Sequence, residues 1–434
     1  MILLKLDWGQ AGHSDKNLIR NSSDAPYLDA KKAKKTRRFF IICAFSFTVI
    51  ISRCWTKFRV LNYRSKMKYI KFIVLSLCFF SFVSIHVDEN FPVNTAELSQ
   101  LKNLNSSSKI SIQEIQKWNS IAEELIRKNS LQEGGVLRLR AYLFNAQNAF
   151  ANASFALKGS YEGSLDPISF YVLKLFFPNI NESQYAMNLD PFSKKLTKVL
   201  TNKIDVRFEK ENSQLHPIVI VKKEELWYGS EPFANPAVPS MIPWVNESRS
   251  EFIGAKPPPP NDKFWLMQLE EVKKSMANAN EEQKKRVLFW AGKSGPDSGD
   301  WFPVADKYMA SKNVPVEKRL EVRAKLATAM HDAIIGSYIS KYLYLVKRPV
   351  MLDSNLKPYL ETPNHPSYPS NHSTTSAAAA VILSYYFPEN KQEWQNLAEE
   401  AGLSRIWAGI HFPIDHAAGK ALGEKIGKMH LPPN

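Results

Sequence analysis

From about Asp88 onward the sequence predicts an all-α protein, and three observations carry that prediction. Ile112–Lys128 places Ile115, Trp118, Ile121 and Leu125 at helical spacing. Leu137–Leu157 is rich in Ala, Leu and Phe and has no breaker, the pattern of a buried helix. After the proline run Pro257–Pro260, helical patterns recur at Phe264–Asn278, Glu282–Trp290, Val316–Val346, Ser373–Tyr386, Glu393–Ala401 and Pro413–Met429. Between these blocks, Asp166-Pro167 and Asp190-Pro191 read as turns or helix starts. Residues 204–250, with scattered Pro, Trp and β-branched residues, read as loops with a short strand pair at Asp205–Phe208 and Ile218–Val221. The proline run is stiff and marks a boundary. The expected organisation is a leader (1–88), an N-terminal helical region (89–255) and a C-terminal helical region (256–434).

The chain has 434 residues and a formal net charge of +15, an excess that invites a nucleic-acid or acidic-membrane reading. Its distribution removes that reading. Residues 1–71 hold 16 Lys+Arg against four Asp and no Glu, which leaves 41 bases and 38 acids, a net of +3, in the rest. No nucleic-acid partner is therefore expected. The leader contains two apolar cores, Phe39–Ser52 and Phe72–Ile85, each behind a basic flank. Each is shorter than the roughly 20 residues of a membrane-spanning helix. A basic flank before a short apolar core is the shape of a secretory signal, and MKYIKFIVLSLCFFSFVS makes Met67 an alternative start. Phe82 spoils the small-x-small pattern before the best cleavage position, so an uncleaved anchor stays open beside a cleaved signal. The expectation is an exported protein, periplasmic or secreted, that meets a membrane only through this segment.

The three cysteines, Cys43, Cys54 and Cys78, all precede residue 80 and cannot build a disulfide scaffold or a four-thiolate zinc site. There is no Gly-rich phosphate loop, His-Glu-x-x-His or Cys-x-x-Cys.

Three stretches in the last hundred residues carry chemistry. The first is Lys341, six residues, then Arg348-Pro349. The second is Pro369-Ser370-Asn371-His372. The third is Ser404-Arg405, five residues, His411, three residues, Asp415. Each alone is weak, the third being rarer because it fixes four positions; the three in this order within 75 residues mark a site. A tetrahedral oxyanion needs fixed positive donors, which Lys341, Arg348 and Arg405 supply, Arg with a bidentate fork. A seven-residue spacing places Lys341 and Arg348 on nearly the same helical face, though Pro349 pushes Arg348 toward extended backbone and ends the helix near there. Ser370 and the amides of Asn371 and His372 stand where a loop enters a helix, a natural anion site. His411 precedes Pro413, which fits the first turn of the last helix, and Asp415, four residues on, can reach back to one imidazole nitrogen and raise the basicity of the other.

These stretches resemble the signature of the type 2 phosphatidic acid phosphatase / vanadium haloperoxidase superfamily: Lys-x6-Arg-Pro, Pro-Ser-Gly-His and Ser-Arg-x5-His-x3-Asp. The first and third match fully; in the second, Asn371 stands where the family usually has Gly. Flanking segments (EEQKKRVLFWAG with DWFP, HDAIIGSYISKYLYLVKRP, TPNHPSYPSNHS and GIHFPIDHAAGKALG) resemble the soluble haloperoxidase-like branch. The resemblance implies an all-α helical-bundle core with long loops. It implies that Lys341, Arg348, Ser370, Asn371 and Arg405 bind the oxyanion. His411 is implied as the nucleophile or the axial vanadate ligand, His372 as the acid–base group and Asp415 as the residue that orients His411. His365 is implied as a neighbour of the site or of halide, whereas His331 and His416 are read as structural. Lys347 replaces an aromatic residue frequent in haloperoxidases.

The leading expectation is a hydrolase of phosphate monoesters acting through phosphohistidine on a small phosphorylated substrate, with no cofactor required. The runner-up is a vanadate-dependent haloperoxidase using hydrogen peroxide and bromide. A third reading, an inactive binding protein on the same fold, rests on Asn371.

Overall fold

The computed structural model describes residues 91–432 save 94, 247, 261 and 295–297. The leader, with Met67 and both apolar cores, lies outside the described residues.

The helices of ten residues or more are α1 (Ile112–Lys128), α2 (Glu133–Lys158), α3 (Asp166–Phe176), α4 (Pro191–Gln214), α5 (Phe264–Ala277), α6 (Glu281–Trp290), α7 (Trp301–Ser311), α8 (Val316–Tyr344), α9 (Asn371–Tyr386), α10 (Lys391–Trp407) and α11 (Pro413–Met429). Among the described residues there is no β-strand, only an isolated bridge between Lys109 and Glu162. The protein is all-α with long loops, as the sequence predicts. The strand pair expected at 205–208 and 218–221 is not formed. Asp205–Phe208 continues α4, which Asp190 caps by accepting from the amides of Phe192 and Ser193, and Ile218–Val221 is coil. Short β-branched runs do not separate strand from helix, and the cap upstream decides. Local signals set other starts too: Ser111 and Glu114 form a capping box on α1, and Asn280 and Gln283 form one on α6.

α2 and α8 are the central pair. Both are buried along most of their length, so neither is strongly amphipathic, and they pack against each other. One hydrophobic core draws on residues from both sides of Pro257–Pro260, among them Trp118, Tyr142, Phe150, Leu326, Ile334 and Ile382. Around α8 pack α9 and α11, and α9 also packs on α10.

The α9–α11 contact decides where the chemistry sits. Gly419, Gly423 and Gly427 recur every four residues on one face of α11. A Cβ at Gly423 would come within 2.0 Å of the Thr374 carbonyl oxygen, and one at Gly419 within 2.7 Å of the Ser370 carbonyl oxygen. With small Ser and Ala side chains on α9, the two backbones approach closely and bring the segment before α11 against the start of α9.

Candidate oxyanion site

α8, the loop that follows it, the start of α9, the end of α10 and the residues before α11 meet in one buried cluster. α8 contributes Lys341 and then ends at Leu345, whose left-handed backbone (φ 49) turns the chain. Arg348 follows in extended conformation (φ −81, ψ 157). The residue before a proline avoids helix, so Arg348 reaches the site from a loop rather than from the shared helical face that its spacing from Lys341 suggested. Ser370 is the N-cap of α9, with Asn371 and His372 in the first turn, where amides lack intrahelical acceptors. Arg405 lies in the last turn of α10. His411 stands just before α11, whose cap is Phe412 and whose first turn opens on Pro413, as its sequence suggests.

The centre is a hydrogen-bonded chain of three side chains. Arg348 Nη1 lies 3.0 Å from His411 Nε2, and His411 Nδ1 lies 2.9 Å from Asp415 Oδ2. A guanidinium can only donate, so Nε2 presents its lone pair and Nδ1 carries the proton donated to Asp415. That is the tautomer a nucleophilic Nε2 requires. Burial, then the charges of Arg348 and Lys341, push the His411 pKa well below the ordinary histidine value, so the ring is neutral. Asp415 Oδ2 also accepts from the Phe412 amide at 2.9 Å and from Ser367 Oγ at 2.6 Å. Its Oδ1 is buried with no hydrogen-bond partner, and burial raises its pKa.

The three cations are held differently. Lys341 donates to the carbonyls of Pro366 (2.9 Å), Ser367 (2.7 Å) and Pro369. Burial and then Arg348 pull its pKa down, yet three acceptors use all three N–H bonds of an ammonium. Lys341 thus shapes the 366–369 loop and contributes charge at a distance. Arg348 also donates to the carbonyls of His365 (3.0 Å) and Ile410 (2.6 Å), and its Nη2 lies 3.1 Å from His365 Nδ1. Arg405 donates to Ser404 Oγ (3.0 Å) and to the Val287 carbonyl (3.1 Å). Burial lowers both arginine pKa values to about 10, far above neutrality, so both stay charged.

His372 Nε2 lies 3.0 Å from the Trp290 carbonyl. A carbonyl only accepts, so Nε2 carries the proton. Burial, then Arg405, lowers its pKa to about 3. Arg286 and Trp290 both donate to Glu400 and so pin α6, which bears that carbonyl, to α10. His365 is neutral for similar reasons, burial first and then Lys341 and Arg348. His416 and His331 lie outside this cluster: His416 bonds Ser373 and Glu399, and His331 pairs with Asp332.

Two members carry no family motif in the sequence. Ser367 orients Asp415; its place two residues before Pro369 was its only signal. Glu133, 238 residues from Asn371, accepts from Asn371 Nδ2 at 3.1 Å, a pairing that no local pattern predicts. Among the residues of this cluster, only Glu133 and His372 keep partial exposure.

The all-α bundle thus sets a neutral histidine and its aspartate beside three buried cations, which makes the cluster a candidate oxyanion site. Residues 323–429, which span every motif, match the PAP2 superfamily. The chain is similar to the bacitracin transport permease protein BcrC of Bacillus licheniformis, 33% identical over 81 residues, 17% of this chain and 40% of that protein. It is also similar to a decaprenylphosphoryl-5-phosphoribose phosphatase of Mycobacterium tuberculosis, 37% identical over 70 residues, 16% of this chain and 38% of that protein. The matches thus span about two fifths of these curated relatives. The fold is similar to that of a bacterial vanadium-dependent iodoperoxidase, with a TM-score of 0.58 and 18% identity over 73% of this chain and 95% of that one. Among the described residues, no helix is long and apolar enough to cross a membrane.

Proposed function

We propose that the chain hydrolyses phosphate monoesters through a phosphohistidine on His411. The observation that carries this reading is the Arg348–His411–Asp415 chain, which holds Nε2 unprotonated beside a fixed positive charge. The word phosphatase in one relative's name supports it.

In this reading Arg348, Arg405 and the first-turn amides of α9 receive the phosphoryl oxygens, with Lys341 adding charge. Nε2 attacks phosphorus as the ester P–O bond breaks, and the departing oxygen takes a proton from His372. The phosphoryl oxygens offset Arg405 and so raise the proton affinity of His372 above that of the empty site. Asp415 stabilises the charged imidazole. Water then attacks phosphorus, gives its proton to His372 and releases phosphate, restoring His411.

The same donor set fits vanadate, which favours a second reading as a haloperoxidase. His411 Nε2 would be its ligand and the two arginines would neutralise its oxygens. When bound, vanadate would supply activation of hydrogen peroxide toward halide.

One paired experiment tests both. The full-length protein is assayed for p-nitrophenyl phosphate hydrolysis, then for bromide oxidation with vanadate and peroxide. His411→Ala is expected to lower hydrolysis by about 10⁴-fold or more, as loss of a covalent nucleophile does. Hydrolysis that survives in this variant overturns the phosphohistidine route. Vanadate-dependent bromination with negligible hydrolysis replaces it with the second reading.

A further inference from the structure

Asn371 is the departure from the family motif, and its side chain is fully engaged inside the protein. Its Oδ1 accepts from Ser337 Oγ at 2.7 Å, and its Nδ2 donates to Glu133 Oε2 at 3.1 Å. The residue is 3% exposed. A glycine at this position could make neither bond. The amide therefore ties α8 to the first turn of α2 and seats a partly exposed carboxylate near Lys341 and Arg405 of the cation cluster.

We propose that Glu133 is a specificity-determining residue of the oxyanion site: held there by Asn371, it makes binding of a doubly charged oxyanion proceed with uptake of one proton. This rests on the oxyanion-site reading above and names the charge state the site selects.

The charge balance gives the reason. Lys341, Arg348 and Arg405 face two carboxylates, Asp415 and Glu133. With both ionised the cluster keeps one net positive charge; with Glu133 protonated it keeps two, which matches a dianion. An ionised Glu133 also repels the incoming oxygens directly. Binding and protonation are linked, so each favours the other by the same factor.

The surroundings of Glu133 support a carboxyl that changes state. From α8 it faces the cation Lys341 and the phenol Tyr338, from α10 Arg405, and from α9 the neutral Asn371. The loop between α4 and α5 contributes neutral groups: Asn235 Oδ1 accepts from the Gly134 amide, and Asn235 Nδ2 donates to Tyr338. Burial raises the Glu133 pKa, and the Asn371 bond, Lys341 and Arg405 offset only part of that. A dianion beside Lys341 and Arg405 screens those cations and raises it further. The other titratable groups of the site are His365, His372 and His411, held neutral, and Asp415, engaged by Ser367 and Phe412.

The test uses sulfate, a tetrahedral ion that stays doubly charged across the range, so its own titration adds nothing. Sulfate binding to the full-length protein is measured by calorimetry between about pH 5 and 8, in buffers of different ionisation enthalpy that report proton uptake. Wild type is expected to lose affinity as pH rises, approaching about tenfold per pH unit above the Glu133 pKa, with uptake approaching one proton. Glu133→Gln is expected to bind about tenfold or more tightly at pH 8 and to lose most of the slope. Slope that remains belongs to the histidines. Asn371→Gly, which frees Glu133 from its anchor, is expected to flatten the profile while sulfate still binds, and it gives the answer if Glu133→Gln does not fold. Equal slopes and equal proton uptake in wild type and variants overturn the proposal and leave the oxyanion site intact. A folded wild type that binds no sulfate at any pH overturns both.

Discussion

Among the described residues two buried aspartate–histidine groups have opposite characters. Asp332, on α8, accepts from the Trp244 and Val245 amides, from His331 at 3.2 Å and from His430 at 3.0 Å. Both its oxygens are engaged. Burial works to raise its pKa, but the histidine hydrogen bonds and charges outweigh that and bring it down. Asp415 is as deeply buried yet leaves Oδ1 without a partner, and its pKa is raised. His430 meets Thr328 and Asp332, both within the protein; His411 meets Asp415 on one side and a cation on the other. A carboxylate with both oxygens bonded inside the fold serves as an anchor, whereas one with an unpartnered oxygen beside excess positive charge is arranged for something that arrives. The comparison teaches that the surroundings of an Asp–His pair, more than the pair itself, separate an anchor from a reactive site.

The largest effect that sharpens this contrast is expected from Asp415→Asn. The amide oxygen would keep the bonds from His411 Nδ1, Phe412 and Ser367, but the negative charge that stabilises a positively charged imidazole would be gone. Turnover per folded molecule should fall by about 10²–10⁴-fold. The thermal midpoint should stay near or above wild type, because a neutral group replaces a poorly satisfied buried carboxylate. A variant that keeps its rate would show that Asp415 is an anchor like Asp332.

Asp332→Ala should do the reverse. Removing a buried carboxylate that holds two backbone amides and two histidines costs about 3–5 kcal/mol, read in chemical denaturation, with turnover per folded molecule unchanged. A loss of rate without loss of stability would erase the distinction.

The smallest expected effect is on stability against pH. His365, His372 and His411 are held neutral in the folded protein, with His372 lowered to about 3. Below the ordinary histidine value of 6.5 the unfolded chain binds protons that the folded protein refuses, so stability falls as pH falls. Asp415 and Glu133, whose folded pKa values are raised, act in the opposite sense further down, in the carboxylate range. The thermal midpoint should therefore drop between about pH 6.5 and 5, and drop less in His372→Asn. A flat profile would mean that water reaches these rings.

Much of the fold was legible because its signals are local. Asp190-Pro191 marks the true start of α4, and the Ile112–Lys128 and Pro413–Met429 patterns coincide with α1 and α11. The strand pair failed for a local reason as well: Asp205–Phe208 alone looks extended but continues a helix capped fifteen residues earlier. The candidate site was legible as a set of motifs, and the structure gathers those residues into one cluster. Arg348 shows the limit of spacing, because it reaches the cluster from a loop that Pro349 keeps out of the helix. The Gly419–Gly423–Gly427 face, in plain sight as a four-residue repeat, acquired meaning only with α9 lying against it.

By itself the sequence determined the helical class, the order of the motifs, the reach of Asp415 to His411 and the concentration of charge in the leader. These depend on helical periodicity, proline, capping and composition, all properties of neighbouring residues. Tertiary structure alone decided that Lys341 spends its donors on the 366–369 loop, that Ser367 steadies Asp415, that His372 leans on the Trp290 carbonyl, and that Glu133 meets Asn371. Each of these joins residues on different segments. Their partners are set by the packing of α2, α6 and α9 around α8 and α10, and burial there turns a contact into a shifted charge.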